Sequence, residues 1–208
     1  MIVDYISNTL GGTIGDEYAK PQGRISVNTD IKGSDWFCDA AAYVLGNGLM
    51  TGTSATTFTP NAPMTRGMLA TVLYRMAGSP KVTGKVSEKF SDCTDGSWYG
   101  DAVLWANAND IINGYEDGTY KPTKAINRQE MAKILYGYDK AMKRAGEEFA
   151  IQLTYTDLNT IADWALESVT YCTAASYLAG ADGAFNPKGT ATRAMAAKVL
   201  MSMTKEAA

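Results

Sequence analysis

A mainly α-helical chain made of three helix-turn-helix repeats is the fold that this sequence predicts. Three observations carry the prediction. First, landmark residues recur in one register. Trp36, Trp98 and Trp164 are each followed sixteen residues later by a glycine: Gly52, Gly114 and Gly180. An aromatic, a proline and an arginine come next in the same order: Phe58, Pro60 and Arg66, then Tyr120, Pro122 and Arg128, then Phe185, Pro187 and Arg193. In the third copy these landmarks fall one residue early, because GADGAF is one residue shorter than GYEDGTY. Second, an aspartate precedes each tryptophan: Asp30, Asp92 and Asp157. Third, apolar residues recur at helical spacing on both sides of a Gly-rich stretch. Self-similarity at a fixed period marks repeat architectures, in which each unit needs its neighbours to bury a core.

The elements follow in order. Residues 1–24 stand outside the pattern as a lead-in segment. The repeats occupy 25–80, 81–145 and 146–208. In each, the first helix opens near the tryptophan. In WYGDAVLWANANDI, the positions Ala102, Leu104, Trp105, Ala108 and Ile111 fall close to one helical face. Since the tryptophans head amphipathic segments, they are expected in the core rather than on a ligand. The turns GTSATTFTP, NGYEDGTYKP and GADGAFNP then break the helix. Gly52, Gly114 and Gly180 are expected to end it in a left-handed conformation, with a second role in letting a ligand approach the backbone. EDG and ADG lack the acidic ladder of a calcium loop and read as turns.

The second helix starts at Thr65, Asn127 and Thr192, which stand where an N-cap belongs. Glu130, three residues after Asn127, completes a capping box. MLATVLYRM, MAKILYGY and MAAKVLMSM continue with apolar periodicity, and their methionines read as core filler. The linking stretches SPKVTGKVSEKF and FAIQLTYTD read as extended or irregular.

Several functions are disfavoured by composition. The chain has 208 residues, a net charge of −3 and no histidine. Phosphate-driven nucleic-acid binding lacks a basic field. Catalytic dyads and triads that use histidine are excluded, as are histidine-ligated metals. Cys38, Cys93 and Cys172 have neither disulfide nor zinc spacing and read as small buried thiols. No apolar run is long enough for a membrane span, and the first twenty residues show no signal-peptide pattern.

One feature runs against expectation. Arg66, Arg128 and Arg193 each stand in the first turn of a helix, where a cation is mildly unfavourable. A helix start offers main-chain N–H groups, and arginine adds a planar fork, so together they suit an anion. The other reading pairs each arginine with an acidic neighbour from another repeat.

The Phe90–Asp92 and Tyr155–Asp157 starts, the tryptophan, the G-x-x-D-G-x-[FY]-x-P turn and the T-R-A-E-like helix start resemble the S-layer homology family. The resemblance covers roughly residues 25–205 in three tandem repeats, and the second repeat follows the pattern most fully. Asn28 replaces the first aromatic, Met68 and Met195 replace the motif glutamate, and Asn127 replaces its threonine. The resemblance implies a pseudo-threefold assembly with a central helical bundle and three prongs. It implies a non-enzymatic, cofactor-free anchor of a larger bacterial surface protein, extracellular at the cell wall. The partner it implies is secondary cell-wall polysaccharide, commonly bearing pyruvate ketals, held in grooves between repeats. The ligand-binding residues expected on that basis are Arg66, Arg128, Arg193, Thr65, Asn127, Thr192, Gly52, Gly114 and Gly180. Two other functions stand beside it: a protein–protein scaffold without sugar binding, and a carboxylate-based glycosidase, for which no isolated carboxylate pair stands out.

Overall fold

The computed structural model describes residues 28–146 and 151–205. The lead-in segment 1–24 lies outside them. Among the described residues the regular elements are all helical: α1 (Cys38–Gly46), α2 (Arg66–Met76), α3 (Val86–Lys89), α4 (Gly100–Ala108), α5 (Arg128–Ala141), α6 (Asp163–Ala174) and α7 (Arg193–Lys205), with a 3-10 turn at Leu158–Thr160. The long helices alternate as the repeats require: α1, α4 and α6 follow the aspartates, and α2, α5 and α7 follow the Gly-rich turns. The first linker differs from expectation, since its VSEK forms the one-turn α3, whereas residues 151–157 of the second are irregular as expected and 149–150 lie outside the described residues.

The described residues form two compact units. The first comprises residues through Ala62, Arg75–Ser79 and those from Thr192 onward. Its core is α1 packed on α7. The CDAAAYVLG helix presents small residues, and Ala40, Ala41 and Val44 are fully buried. Val199, Leu200 and Met203 are buried on α7.

The second unit comprises Pro63–Tyr74 and Pro80–Ala191. Here α5 packs on α6, and α3 on α4. Trp105 of α4 stands between Tyr74 and Tyr138, at 5.6 and 6.2 Å between ring centroids. The buried face of α4 is Ala102, Val103, Trp105 and Ala106, while Leu104 is half-buried and Ala108 exposed. This shifts the expected stripe by about one position, because neighbours cover the helix from two sides. Asp139, fully buried on α5, accepts a hydrogen bond from Tyr171 Oη of α6 at 2.8 Å and lies 3.4 Å from Arg144 Nε. Most of the Met-rich positions are core as expected, with Met64 and Met131 fully buried.

At the centre of this unit three main-chain hydrogen bonds close a ring. Met64 N–H donates to Ala191 O at 2.8 Å, Ala191 N–H to Ile126 O at 3.0 Å, and Ile126 N–H to Met64 O at 2.9 Å. The three residues hold equivalent positions just before the second helix of each repeat, and all are buried. Buried main-chain groups must be paired, so each repeat supplies what another lacks.

An isolated second repeat loses those partners. Residues 81–145 without the rest leave the N–H groups of Ile126, Arg128 and Gln129 without Met64, Gly189 and Pro187. Each orphaned donor costs about 1–3 kcal/mol where it stays buried. The expected outcome is that the fragment shows no cooperative thermal transition by circular dichroism; a sharp transition would contradict the exchange of bonds between repeats.

Candidate functional site

The arginines at the helix starts are spent on the neighbouring repeat. Arg66 Nε donates to Tyr120 O and Nη2 to Asn113 O, both at 2.7 Å. Arg128 does the same to Phe185 O (2.8 Å) and Ala179 O (2.7 Å). Arg193 donates to Phe58 O (2.8 Å) and Thr51 O (2.7 Å). Each guanidinium also covers the ring whose carbonyl it binds, 4.7–4.8 Å from the centroid of Tyr120, Phe185 or Phe58. The order is cyclic: repeat 1 reaches repeat 2, repeat 2 reaches repeat 3, and repeat 3 reaches repeat 1. All three side chains are buried. Burial pushes the Arg128 and Arg193 guanidinium groups below their ordinary pKa, against the pull of nearby Tyr155 and Asp157 on one and Asp30 on the other. Each arginine does reach another repeat, as the second reading has it, and there it takes a pair of carbonyls and lies on an aromatic ring.

The helix starts are likewise occupied. The first two N–H groups of α2 donate to Lys124 O and Pro122 O, at 3.0 and 2.8 Å. In α5 the acceptors are Gly189 O and Pro187 O, and in α7 Ala62 O and Pro60 O. The third N–H goes to the cap: Met68 N to Thr65 Oγ1, Glu130 N to Asn127 Oδ1, and Met195 N to Thr192 Oγ1. Asn127 and Glu130 form the full capping box. The free N–H groups that the sequence suggests for an anion are therefore taken by the next repeat.

The turn glycines serve close approach. None of Gly52, Gly114 and Gly180 has positive φ, which corrects the left-handed expectation. A Cβ on Gly52 would stand 2.7 Å from Thr57 O, and one on Gly180 2.5 Å from Ala184 O and 2.6 Å from the Tyr155 ring. On Gly114 it would overlap the Phe90 ring. The left-handed residues that end the first helices are Gly48, Asp110 and Ser176, four positions earlier in each repeat. Only one of them is a glycine, so the signal is weak in sequence.

Each aspartate clamps its own turn. Asp30 accepts from Phe58 N–H and Thr59 N–H, Asp92 from Tyr120 N–H and Lys121 N–H, and Asp157 from Phe185 N–H and Asn186 N–H, at 2.6–3.1 Å. The second residue of each pair has φ between 52° and 57°. These carboxylates hold the strained turn whose carbonyl receives the arginine.

The tryptophans are not core. Trp36, Trp98 and Trp164 are 62%, 60% and 49% exposed. In the first two repeats the helix begins two residues after the tryptophan, so the ring lies off its apolar stripe. In the third the next residue, Ala165, takes the buried position.

One cavity of about 460 Å³ opens in the second unit. Its walls include Arg66, Gly114, Tyr115, Lys133, Tyr136, Lys140, Trp164 and Glu167. Of the binding residues expected from sequence, it brings together only Arg66 and Gly114. Tyr115 is flanked by cations: Arg66 and Lys121 lie 4.8 and 4.2 Å from its centroid, and Lys124 Nζ donates to its Oη at 3.0 Å. That bond, with help from Glu130, raises the Lys124 pKa. Lys133 Nζ is 6.0 Å from the Trp164 centroid. Burial and the hydrogen bond to Glu167 push the Tyr136 phenol up to about 12. Sequence reasoning passed over Lys133, Lys140 and Glu167; the signal was their place on the polar faces of α5 and α6.

These features define a repeat module whose copies are locked by exchanged bonds and which carries a cation-lined cavity beside an exposed indole. The chain belongs to the S-layer homology domain family, whose model matches residues 29–67, 89–132 and 154–197. It is similar to an amylopullulanase of Thermoanaerobacterium thermosulfurigenes, 29% identical over 95% of this chain and 10% of that protein. It is also similar to a cellulosome-anchoring protein of Acetivibrio thermocellus, 26% identical over 66% of this chain and 31% of the relative. A third relative is the S-layer protein sap of Bacillus anthracis, 24% identical over 85% of this chain and 21% of that protein. The chain thus spans between a tenth and a third of these proteins.

The clamp has a pH signature. Burial works to raise the Asp157 carboxyl, but the N–H groups of Phe185 and Asn186 outweigh it and hold the group below the usual aspartate range. A depressed folded pKa gives stability that is full above the unfolded value, near about 4, and is lost as pH falls through the folded value. Asp157→Asn is expected to lower stability by roughly 1 kcal/mol at neutral pH. The gap to the parent should narrow on acidification; a gap that is constant with pH would show that the charge of Asp157 does not matter.

Proposed function

We propose that this chain anchors a larger surface protein to the bacterial cell wall by binding a carboxylate-bearing sugar of secondary cell-wall polysaccharide, and that the cavity beside Arg66 receives it. The observation that carries this reading is a local cluster of cations in a chain of net charge −3: Arg66 and Lys133 line the cavity, with Lys121 and Lys124 at its Tyr115 wall. A pyruvate ketal places a carboxylate on a sugar ring. Lys133 supplies a point charge for it, and Arg66 contributes its buried positive charge. The exposed face of Trp164 suits the apolar face of a pyranose. Anchoring accords with family membership and with relatives named as anchoring and S-layer proteins.

Hydrolysis is not favoured by the same cavity. Glu130 accepts from Asn127 N–H through Oε2 and holds Lys124 through Oε1. Glu167 accepts from Tyr136 Oη. Of the three carboxylates of the wall, Glu130 and Glu167 are engaged in structural bonds, which leaves Asp110 alone, whereas a glycosidase needs one as acid and another as base or nucleophile.

The roles of the expected site residues divide. Arg66 and Gly114 belong to the ligand cavity. Arg128, Arg193, Thr65, Asn127, Thr192, Gly52 and Gly180 act by holding repeats and turns in place. Replacing the arginines therefore tests folding before it tests binding. Lys133 and Trp164 are exposed and give cleaner probes.

The test is co-sedimentation with purified wall polysaccharide before and after mild acid removal of ketal-linked pyruvate. Binding is expected to fall to background after the treatment. Lys133→Ala and Trp164→Ala should each weaken binding to untreated polymer roughly tenfold, about 1.4 kcal/mol, with unchanged circular dichroism. Equal binding to treated and untreated polymer would refute the carboxylate reading.

A further inference from the structure

Gln129 is buried at the start of α5, 5% exposed, and does not line the cavity. Its main chain and its side chain are both committed to the third repeat. Its N–H donates to Pro187 O, and its Oε1 accepts from Ala162 N–H, both at 3.0 Å. Ala162 is the residue at which the chain enters α6, two positions before Trp164. It offers α6 no side-chain cap, and a hydrogen bond from α5 ties this entry instead. Further along α6, Tyr171 Oη donates to buried Asp139 of α5. The helix is therefore pinned to α5 at two points. Lys133, one turn after Gln129 on the same face, lies 6.0 Å from the Trp164 centroid. The residues that correspond to Gln129 are Gly67 in the first repeat and Ala194 in the third, each directly after the arginine. Neither has a side chain that makes such a bond. A Cβ on Gly67 would lie 3.0 Å from Pro122 O and 3.4 Å from Cη2 of Trp98. The residue after the arginine thus faces the tryptophan end of the next repeat's helix in both places, and only Gln129 holds it with a hydrogen bond.

We propose that Gln129 is a positioning residue for the cavity, which holds the Trp164 indole beside Lys133 through its bond to Ala162. The proposal rests on the reading in which Trp164 packs on a carboxylate-bearing sugar. An exposed indole on a loosely held helix entry has to be ordered when a ligand arrives, and that ordering subtracts from affinity. Fixing the main chain two residues upstream removes part of this cost in advance. Ala162 is half-buried, so water takes its N–H when the Gln129 acceptor is lost. The loss then falls on the order of the indole rather than on the fold.

The experiment compares Gln129→Met, which keeps the length and loses the acceptor, with Gln129→Glu, which keeps an acceptor. In the ligand-free whole chain, Gln129→Met is expected to shift the Trp164 indole N–H resonance and to lower its heteronuclear NOE. Gln129→Glu is expected to retain the parent's NOE, and the resonance of buried Trp105 is expected to stay in place in both. Calorimetric titration with the methyl glycoside of a pyruvate-ketal-bearing hexopyranose should show about fivefold weaker binding to Gln129→Met. In a Trp164→Ala background the same substitution should weaken binding no further, because its effect runs through the indole. Where circular dichroism shows that Gln129→Met does not fold, Gln129→Ala takes its place, with the side chain that the third repeat carries at Ala194. An unchanged Trp164 resonance and NOE would overturn the positioning role and leave the carboxylate reading intact, as would a loss of affinity that persists in the Trp164→Ala background. Failure of the parent to bind the glycoside would overturn both.

Discussion

The fold of the described residues depends on bonds that one repeat cannot make alone. The ring of main-chain hydrogen bonds through Met64, Ala191 and Ile126 sets the starting point of each second helix. Each arginine crosses to the turn of the next repeat and takes two carbonyls there. The constraint behind this is elementary. A buried turn exposes carbonyls, a helix start exposes N–H groups, and neither tolerates burial without a partner. Placing one repeat's helix start against the next repeat's turn satisfies both. Arginine suits the exchange because its fork binds two carbonyls at once and its flat face lies on the aromatic ring of the same turn. The local cost of a cation near a helix start, a few tenths of a kcal/mol to about 1, is outweighed by two charge-assisted hydrogen bonds at about 1.5–3 kcal/mol each.

The same exchange builds the cavity. Arg66 fixes Asn113 and Tyr120, which carry Gly114 and Tyr115 into the wall. Gly137 lets α5 approach the end of α4, since a Cβ there would lie 3.1 Å from Ile111 O. On the other side the buried Asp139–Tyr171 bond ties α5 to α6, the helix that bears Trp164 and Glu167. Lys133 and Trp164, the groups proposed to face the ligand, are exposed. Buried Arg66 reaches the wall while spent on carbonyls, and the exposed Lys133 and Trp164 line the opening.

Much of the fold was legible in the sequence, because helix punctuation is local. The recurrence of Trp, Gly, Pro and Arg marks three repeats, and Asn127 with Glu130 marks the capping box. The partners of Arg66, Arg128 and Arg193 were not legible, since those contacts span 47 to 142 residues and end on main-chain atoms that have no sequence signature. The turn glycines misled for a related reason. Close approach of Phe90 and Tyr155 is non-local, whereas a left-handed helix end is the common local explanation. The tryptophans misled because their place at the head of an amphipathic segment suggested burial, but in the first two repeats the helix begins two residues later. Lys133 and Lys140 stand on the polar face of α5, where nothing local in the sequence marks a site.

The central claim is that the Arg66 cavity takes a carboxylate-bearing sugar beside Trp164. The most direct measurement follows the indole N–H resonances of the four tryptophans while the methyl glycoside of a pyruvate-ketal-bearing hexopyranose is added. The account predicts a saturable shift of Trp164 and none of buried Trp105. Saturable binding that leaves the Trp164 resonance in place would contradict it.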